Sequence, residues 1–329
     1  MATIKDVSKL AGVSVATVSR YLNKNGYVSK EAELAIAEVI EKLNYRPNTI
    51  ARSLAGKKTA TVGLMVPDIL NPFFPELARA IEDAANTYGY TVMLCNTDND
   101  PAKEQRYIET LLHKQADGII ISSYTIQPEH LTGLQKAGIP VILLDNVFSS
   151  DSVVSLTVEN KRGGELAALH LLELGCRKIA HICGPLSITS SRDRTAGFEA
   201  VSAGTDWFIP SLIGYSDFTV KGGYCTMKNL LTDHPDLDGV FASNDLMAAG
   251  ALKALAEAGR RVPEDVRVIG FDGIGLEMLS PELSTIAQPI YELGKTAMDV
   301  LVALIGKETG IKMDQVFPVT LTAKQSTVG

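Results

Sequence analysis

From position 61 onward the chain carries short, almost unbroken apolar runs, each followed by a stretch with helical spacing. Val62-Gly63-Leu64-Met65-Val66, Thr91-Val92-Met93-Leu94-Cys95, Gly118-Ile119-Ile120-Ile121 and Val141-Ile142-Leu143-Leu144 are runs of this kind. A strand that is apolar at nearly every position has both faces buried, and a parallel sheet between two helix layers provides that burial. Amphipathic helices are expected between the strands at 76–88 and 102–115. The pattern restarts at 178–183, 239–242 and 266–270, which gives two α/β runs of domain length rather than one very large sheet. A length of 329 residues agrees, since roughly 150 residues make one domain. The expected fold class is therefore α/β, a two-lobed body of two parallel-sheet subdomains.

The first 60 residues have a different character. They hold ten Lys and Arg against five Asp and Glu, although the whole chain has 31 against 38 and a net charge of −7. A basic head on an acidic body attracts polyanions at one end and repels them elsewhere. The head also carries a motif. Residues 5–10 read as a short helix with Val7, Leu10 and Ala11 on one face, Gly12 gives a turn, and Ser14 caps a second helix over 15–22. That second helix is expected to expose Val15, Ala16, Ser19 and Arg20 while Val18 packs inward. A third helix after Ser29 brings Ile36, Ile40 and Leu43 to close a three-helix core, the pattern of a helix-turn-helix. The segment from Asn48 to Gly56, bounded by Pro47, spans fewer than two helical turns and is too short to be stable alone. It reads either as a linker or as a helix that forms only when something holds it.

Thr3-Ile4-Lys5-Asp6-Val7, Ala11-Gly12-Val13-Ser14-Val15-Ala16-Thr17-Val18-Ser19-Arg20, Leu43-Asn44-Tyr45-Arg46-Pro47-Asn48 and Ala51-Arg52-Ser53-Leu54 resemble the head of the lactose/galactose repressor family. The resemblance implies a dimeric headpiece whose second helix lies in the major groove. It further implies a hinge helix in the minor groove at the operator centre, with Leu54 wedged between base pairs. Carried over residue by residue, it places DNA contacts at Thr3, Ser14, Val15, Ala16, Ser19, Arg20, Asn23, Tyr45, Asn48, Arg52 and Leu54. The partner is then a palindromic operator. Tetrameric members carry a further C-terminal heptad helix, for which the end at Gly329 leaves no room, so a homodimer is expected.

In open α/β sheets ligands sit beyond the carboxyl ends of the strands. Those positions hold Asn71-Pro72-Phe73-Phe74, Asp145, Asn244-Asp245 and Asp272, and loops add Ser190, Arg192, Arg194, Phe218 and Gln288. Carboxylates, amides and a guanidinium beside aromatic rings suit a sugar, whose hydroxyls take paired hydrogen bonds while its aliphatic face packs on rings. Taken singly, each also fits a structural role: Phe73 and Phe74 as core, Pro72 as the first residue of a helix, Asn244 or Asp272 as a loop cap. From about Thr61 to the end the body resembles the periplasmic sugar-binding proteins and the repressor cores related to them. Matching blocks include Ser191-Arg192-Asp193-Arg194-Thr195-Ala196-Gly197-Phe198, Ser243-Asn244-Asp245 and Gly270-Phe271-Asp272-Gly273. That resemblance puts Asn71, Phe73, Phe74, Asp145, Ser190, Arg194, Phe218, Asn244, Asp272 and Gln288 around an effector, a small sugar or sugar phosphate with ribose-like ligands among them. One departure is Asp145-Asn146, where ribose binders of this group commonly have Asp-Arg; the missing guanidinium fork tells against ribose itself.

The implied domains are a headpiece at 1–46, a hinge at 47–60 and a body at 61–329, with an N-lobe of about 61–160 plus 290–320 and a C-lobe of about 161–289 plus 321–329. The implied function is a sugar-controlled repressor of a sugar-utilisation operon. A co-repressed or phosphocarrier-assisted regulator and a stand-alone sugar receptor are the alternatives. An enzyme is not expected: the chain has no GxSxG, P-loop, HExxH or strand-following GxGxxG, and its five histidines lie far apart. No cofactor or metal is expected, since Cys95, Cys176, Cys183 and Cys225 have neither CxxC nor Cys/His spacing. The start shows no signal-peptide pattern and no run approaches the roughly 18 apolar residues of a membrane span, so a cytoplasmic protein is expected.

Overall fold

The computed structural model describes residues 2–23, 25–45, 59–145, 153–276 and 278–328. The expectations for Asn48, Arg52 and Leu54 lie outside the described residues. The chain divides into two compact units, Met1–Thr59 and Ala60–Gly329.

In the first unit, α1 (Ile4–Ala11), α2 (Val15–Asn23) and α3 (Lys30–Lys42) pack on one another. A reciprocal capping box opens α1: Asp6 N–H donates to Thr3 Oγ1 at 3.3 Å and Thr3 N–H donates to Asp6 Oδ2 at 2.8 Å. Gly12 closes α1 at φ +65°, a left-handed conformation that glycine adopts without strain. Ser14 Oγ then accepts the Thr17 N–H at 3.1 Å and starts α2. Val7, Val18, Ile36 and Tyr45 form the buried centre, with Ile40 and Leu43 packed against it. Leu10 departs from the expected core face. It is 57% exposed, because the two short helices give α1 one buried position, Val7, rather than a full stripe.

The second unit holds two six-stranded sheets. The first is built from β1 (Thr61–Val66), β2 (Thr91–Asn96), β3 (Gly118–Ser122), β4 (Val141–Leu144), β5 (Val154–Val158) and β11 (Asp314–Phe317) in the order β11-β5-β4-β3-β1-β2. The second is built from β6 (Ile179–Cys183), β7 (Ile213–Tyr215), β8 (Gly239–Ala242), β9 (Arg267–Asp272), β10 (Ser284–Ala287) and β12 (Thr320–Thr322) in the order β12-β10-β9-β8-β6-β7. All neighbours pair in parallel except β10 and β12. The runs of β3, β4, β6 and β8 are fully buried and covered on both faces, whereas the apolar run of β2 departs from the expectation: β2 is an edge strand, with Thr91 and Leu94 exposed.

Helices α4 (Phe73–Thr87), α5 (Pro101–His113) and α6 (Pro128–Lys136) follow strands of the first sheet. Helices α7 (Asn160–Glu173), α8 (Thr189–Ser202), α9 (Val220–Asp233) and α10 (Asp245–Glu257) cover the second. Helix α11 (Ile290–Ile305) leaves β10 and returns to pack on α4 and β3 of the first sheet. The chain thus passes between the sheets three times: from β5 to α7, from β10 to α11, and from β11 to β12. Thr320, placed by sequence at the end of the N-lobe, already pairs with Ala287 in the second sheet.

Candidate functional site

Two regions gather the expected residues. In the head, Val15, Ala16 and Arg20 are exposed along α2, while Val18 is fully buried on its opposite face. Ser14 is exposed and bonds Thr17 Oγ1 at 2.9 Å; Thr3 is exposed at the start of α1. Asn23 ends the helix. Two positions depart from the expectation. Ser19 is half-buried rather than exposed. Tyr45 has only 9% of its surface exposed, so its ring supports the head's core from behind. A phenol in a predicted DNA-contact position packs inward here because α3 ends at Lys42 and the chain turns back over its own core, with Tyr45 N–H bonded to Ile40 O at 2.9 Å.

In the body, all ten expected effector residues line one narrow cavity between the two sheets' carboxyl ends. Five residues expected at strand ends or on loops lie on α4 and α8 instead. Phe73 and Phe74 lie in the first turn of α4, after Asn71 Oδ1 accepts the Phe73 N–H at 3.1 Å. They are both core and pocket wall, with ring centroids 5.1 Å apart in an edge-to-face pair. Ser190 and Arg194 lie on the first turns of α8 rather than on a loop. Arg192 lies there too but turns away, giving its guanidinium to the Leu186 and Ser187 carbonyls.

Arg194 is 4% exposed, and its Nε and Nη1 are bonded within the protein. Its Nε donates to Asn160 Oδ1 at 2.9 Å, and its Nη1 donates to Ser243 O at 2.6 Å and Asp272 Oδ1 at 3.3 Å. The guanidinium lies 3.6 Å from the Phe271 ring centre. Close helix crossing makes this cluster possible. A Cβ on Gly164 of α7 would stand 2.1 Å from Arg194 O, and one on Gly197 of α8 would stand 2.0 Å from Lys161 O. Only glycine at both points lets Asn160 reach Arg194.

Asp272 also accepts Gln288 Nε2 at 2.7 Å. Burial raises its pKa to about 6, against the pull of the Arg194 charge and the Gln288 bond. Burial likewise raises Asp145, and Arg194 again opposes the shift. Asp145 Oδ1 and Gln288 Oε1 are buried without a hydrogen-bond partner among the described residues. Asp145, Phe218 and Asp272 have φ of +56°, +65° and +113°, conformations that cost free energy in residues with a Cβ and that gather at ligand sites. Asn244 caps α10 by accepting Met247 N–H at 2.9 Å and donates to Phe218 O at 3.1 Å, so its amide holds Phe218 in place. Asp245 lies behind the cavity and accepts from Gly273 N, Ile274 N and Thr285 Oγ1, fixing the turn after Asp272.

Ser122 and Tyr124 also line the cavity, and the sequence reading missed them. Tyr124 spans the two lobes, 6.5 Å from Phe74 and 6.0 Å from Phe218 between ring centroids. The signal was available: the strand-end rule that selected Asp145 after β4 applies equally to Ser122-Ser123-Tyr124 after Ile121. Asn160 was missed because its role depends on a helix crossing, which strand ends do not reveal. Among the described residues no cluster of His, Cys, Asp or Glu could hold a metal, and no helix is long and apolar enough to cross a membrane.

Comparison with known proteins agrees with both regions. Residues 3–48 match the model for bacterial regulatory proteins of the lacI family, and residues 59–325 match that for periplasmic binding proteins and the sugar-binding domain of the LacI family. The chain is 44% identical to the ribose operon repressor of Halalkalibacterium halodurans, over 100% of this chain and 98% of the relative. Its fold superposes on the lac repressor dimer bound to operator and the anti-inducer ONPF with a TM-score of 0.88 at 28% identity, covering 100% and 99% of the two chains. A LacI-family regulator from Enterococcus faecium with bound ribose matches with a TM-score of 0.74 at 34% identity, covering 81% of this chain and 98% of that one.

Proposed function

Because the chain belongs to the LacI family of transcriptional regulators, we propose that it is a cytoplasmic homodimeric repressor of a sugar-utilisation operon, released from or held on a palindromic operator by a neutral sugar in the interlobe cavity. In this reading the headpiece occupies 1–46, the hinge 47–60 and the body 61–329. Val15, Ala16 and Arg20 face the major groove, supported by Ser14, Ser19 and Asn23, with Thr3 at the phosphates. Tyr45 acts through the packing of the head. Asn48, Arg52 and Leu54 make the minor-groove contacts.

One observation carries the choice of ligand. Among the described residues Arg194 is the one cation lining the cavity, and its Nε and Nη1 already bond Asn160, Ser243 and Asp272, whereas Asp145 Oδ1 and Gln288 Oε1 are acceptors with no hydrogen-bond partner there. Sugar hydroxyls supply donors to such acceptors, and the rings of Phe73, Phe74 and Phe218 suit a sugar's aliphatic face. A phosphate would bring about two negative charges next to two carboxylates, where Arg194, the one cation among the described lining residues, is already paired with Asp272. A neutral sugar is favoured over its phosphate ester; the relatives named for ribose make D-ribose the first ligand to test, and the Asp145-Asn146 departure, which tells against it, makes the other sugars the next.

The experiment begins with selection of binding sites from random duplex DNA by the purified protein. Fluorescence anisotropy on the recovered site then follows, with D-ribose, other pentoses and hexoses, and ribose 5-phosphate added in turn. A palindromic site whose affinity responds to a neutral sugar is the expected result. Absence of an enriched palindrome, or a response to the phosphate ester alone, overturns the reading.

A further inference from the structure

A carboxylate outside the cavity is buried for a purpose the effector site does not yet account for. Glu104, on α5, has no exposed surface. Burying a carboxylate is costly unless donors surround it, so its partners indicate what it holds. Ser123 Oγ donates to Glu104 Oε2, and Thr125 Oγ1 donates to the same oxygen at 3.0 Å. Ser123 Oγ in turn accepts the N–H groups of Thr125 at 3.0 Å and Ile126 at 3.1 Å, closing a tight turn after β3. Glu104 Oε1 lies 3.3 Å from His130 Nδ1 on α6, and that nitrogen accepts the Gln127 N–H at 3.2 Å.

The carboxylate therefore grips the residues on either side of Tyr124. Ser123 and Thr125 face Glu104, and Tyr124 between them faces the cavity and bridges Phe74 to Phe218 across the lobes. We propose that Glu104 is a positioning residue that holds Tyr124 in the interlobe cavity through the Ser123–Thr125 turn, and so sets how tightly the cavity closes on its ligand. The affinity consequence rests on the effector reading given above; the hold on Tyr124 does not.

Glutamine can replace the carboxylate in this geometry. Its carbonyl oxygen accepts from Ser123 and Thr125 as Oε2 does, and its amide takes the place of Oε1 beside His130. Leucine removes the oxygen to which both hydroxyls donate. The full-length protein is labelled with 3-fluorotyrosine, and the Tyr124 resonance is assigned by its loss in Tyr124→Phe. Glu104→Leu is expected to move and broaden that resonance and to weaken D-ribose binding about tenfold, the scale of coupling between residues in contact. Glu104→Gln is expected to restore both readouts. In a Tyr124→Ala background, Glu104→Leu is expected to have no further effect on binding. Ser123→Ala, a smaller change, carries the same expectations if the leucine variant does not fold.

An unmoved Tyr124 resonance in Glu104→Leu or Ser123→Ala overturns the proposal. So does a tenfold loss of affinity that persists in the Tyr124→Ala background. If the wild type binds neither D-ribose nor any other sugar while the resonance still responds to Glu104→Leu, the effector reading fails and the hold on Tyr124 stands.

Discussion

Asp272→Asn tests the electrostatics of the cavity with the least change of shape. The native carboxyl has its pKa raised to about 6 by burial, from an aspartate value near 3.9 in an unfolded chain. Between about pH 4 and 6 the folded protein thus binds more protons at this site than the unfolded chain does. Folding stability contributed by the site falls as pH rises through that window, is fully lost above about 6, and amounts to at most about 3 kcal/mol. Asparagine cannot ionise, yet its carbonyl can still accept from Gln288 Nε2. Arg194 loses its counter-charge in the variant, but its bonds to Ser243 O and Asn160 Oδ1 remain, and that loss is independent of pH above the window. Urea melts at several pH values, followed by the fluorescence of the single tryptophan, half-buried Trp207, give both stabilities. Wild-type stability minus variant stability is expected to fall by up to about 3 kcal/mol between pH 4 and 7; carboxylates remote from the site cancel, while Asp145 and Asp245, which interact with the Asp272 charge, change their own contributions in the variant. Sugar hydroxyls that donate to the carboxylate lower its pKa, so wild-type affinity for D-ribose should rise with pH across the same window, and the variant's should not. Parallel pH profiles for the two proteins would refute this account of Asp272.

Arg20→Ala removes the one long cation on the exposed face of α2 and should cost about 1–3 kcal/mol in operator affinity with relaxed preference at one base pair; equal weakening on all sequences would assign Arg20 to phosphate only. Gly197→Val places side-chain carbons within 2.0 Å of Lys161 O, so α7 and α8 must separate and Asn160 must leave Arg194; thermal melts should show a loss of about 1–3 kcal/mol, with sugar affinity reduced as well. Leu54→Ala should weaken specific operator binding strongly while D-ribose binding to the body stays unchanged, and amide exchange over 48–54 should slow only on operator DNA.

The parts of the fold that rest on local pattern were legible in the sequence, and the parts that rest on long-range contact were not. Unbroken apolar runs located β1, β3, β4, β6, β8 and β9, because burial on both faces leaves a signature in every residue. Strands β11 and β12 carry exposed polar residues and exist only because β5 and β10 offer them an edge. The short β7 likewise depends on β6. In the cavity, residue type and strand-end position singled out Asp145, Asn244 and Asp272. Their detailed roles needed coordinates: Asn244 spends its amide on Phe218 and Met247, and so positions a ring rather than offering free donors. Glu104 was invisible for a further reason. A buried glutamate in an amphipathic helix reads as a surface residue until the serine and threonine that meet it, 19 and 21 positions away, are known.

The polar groups of the cavity are also placed where the lobes join, and this bears on how a ligand could act. Asn160 is the first residue of α7, just past the passage from β5, and Gln288 lies in the passage from β10 to α11. Arg194 bonds the first, Asp272 bonds the second, and the two bond each other, so one connected network ties two of the three interlobe passages. A ligand that supplies hydroxyls to Asp145 and Gln288 therefore binds the first lobe and a joint of the molecule at once. Its contacts depend on the angle between lobes, because Asp145 directly follows β4 of one sheet while Asp272 ends β9 of the other. Binding free energy that differs between lobe angles is the one quantity that can shift the population of those angles. With the Tyr124 and Phe218 rings meeting at a tilt across the same gap, closure is favoured by ring contact and tuned by whichever hydroxyls fill the space beside them.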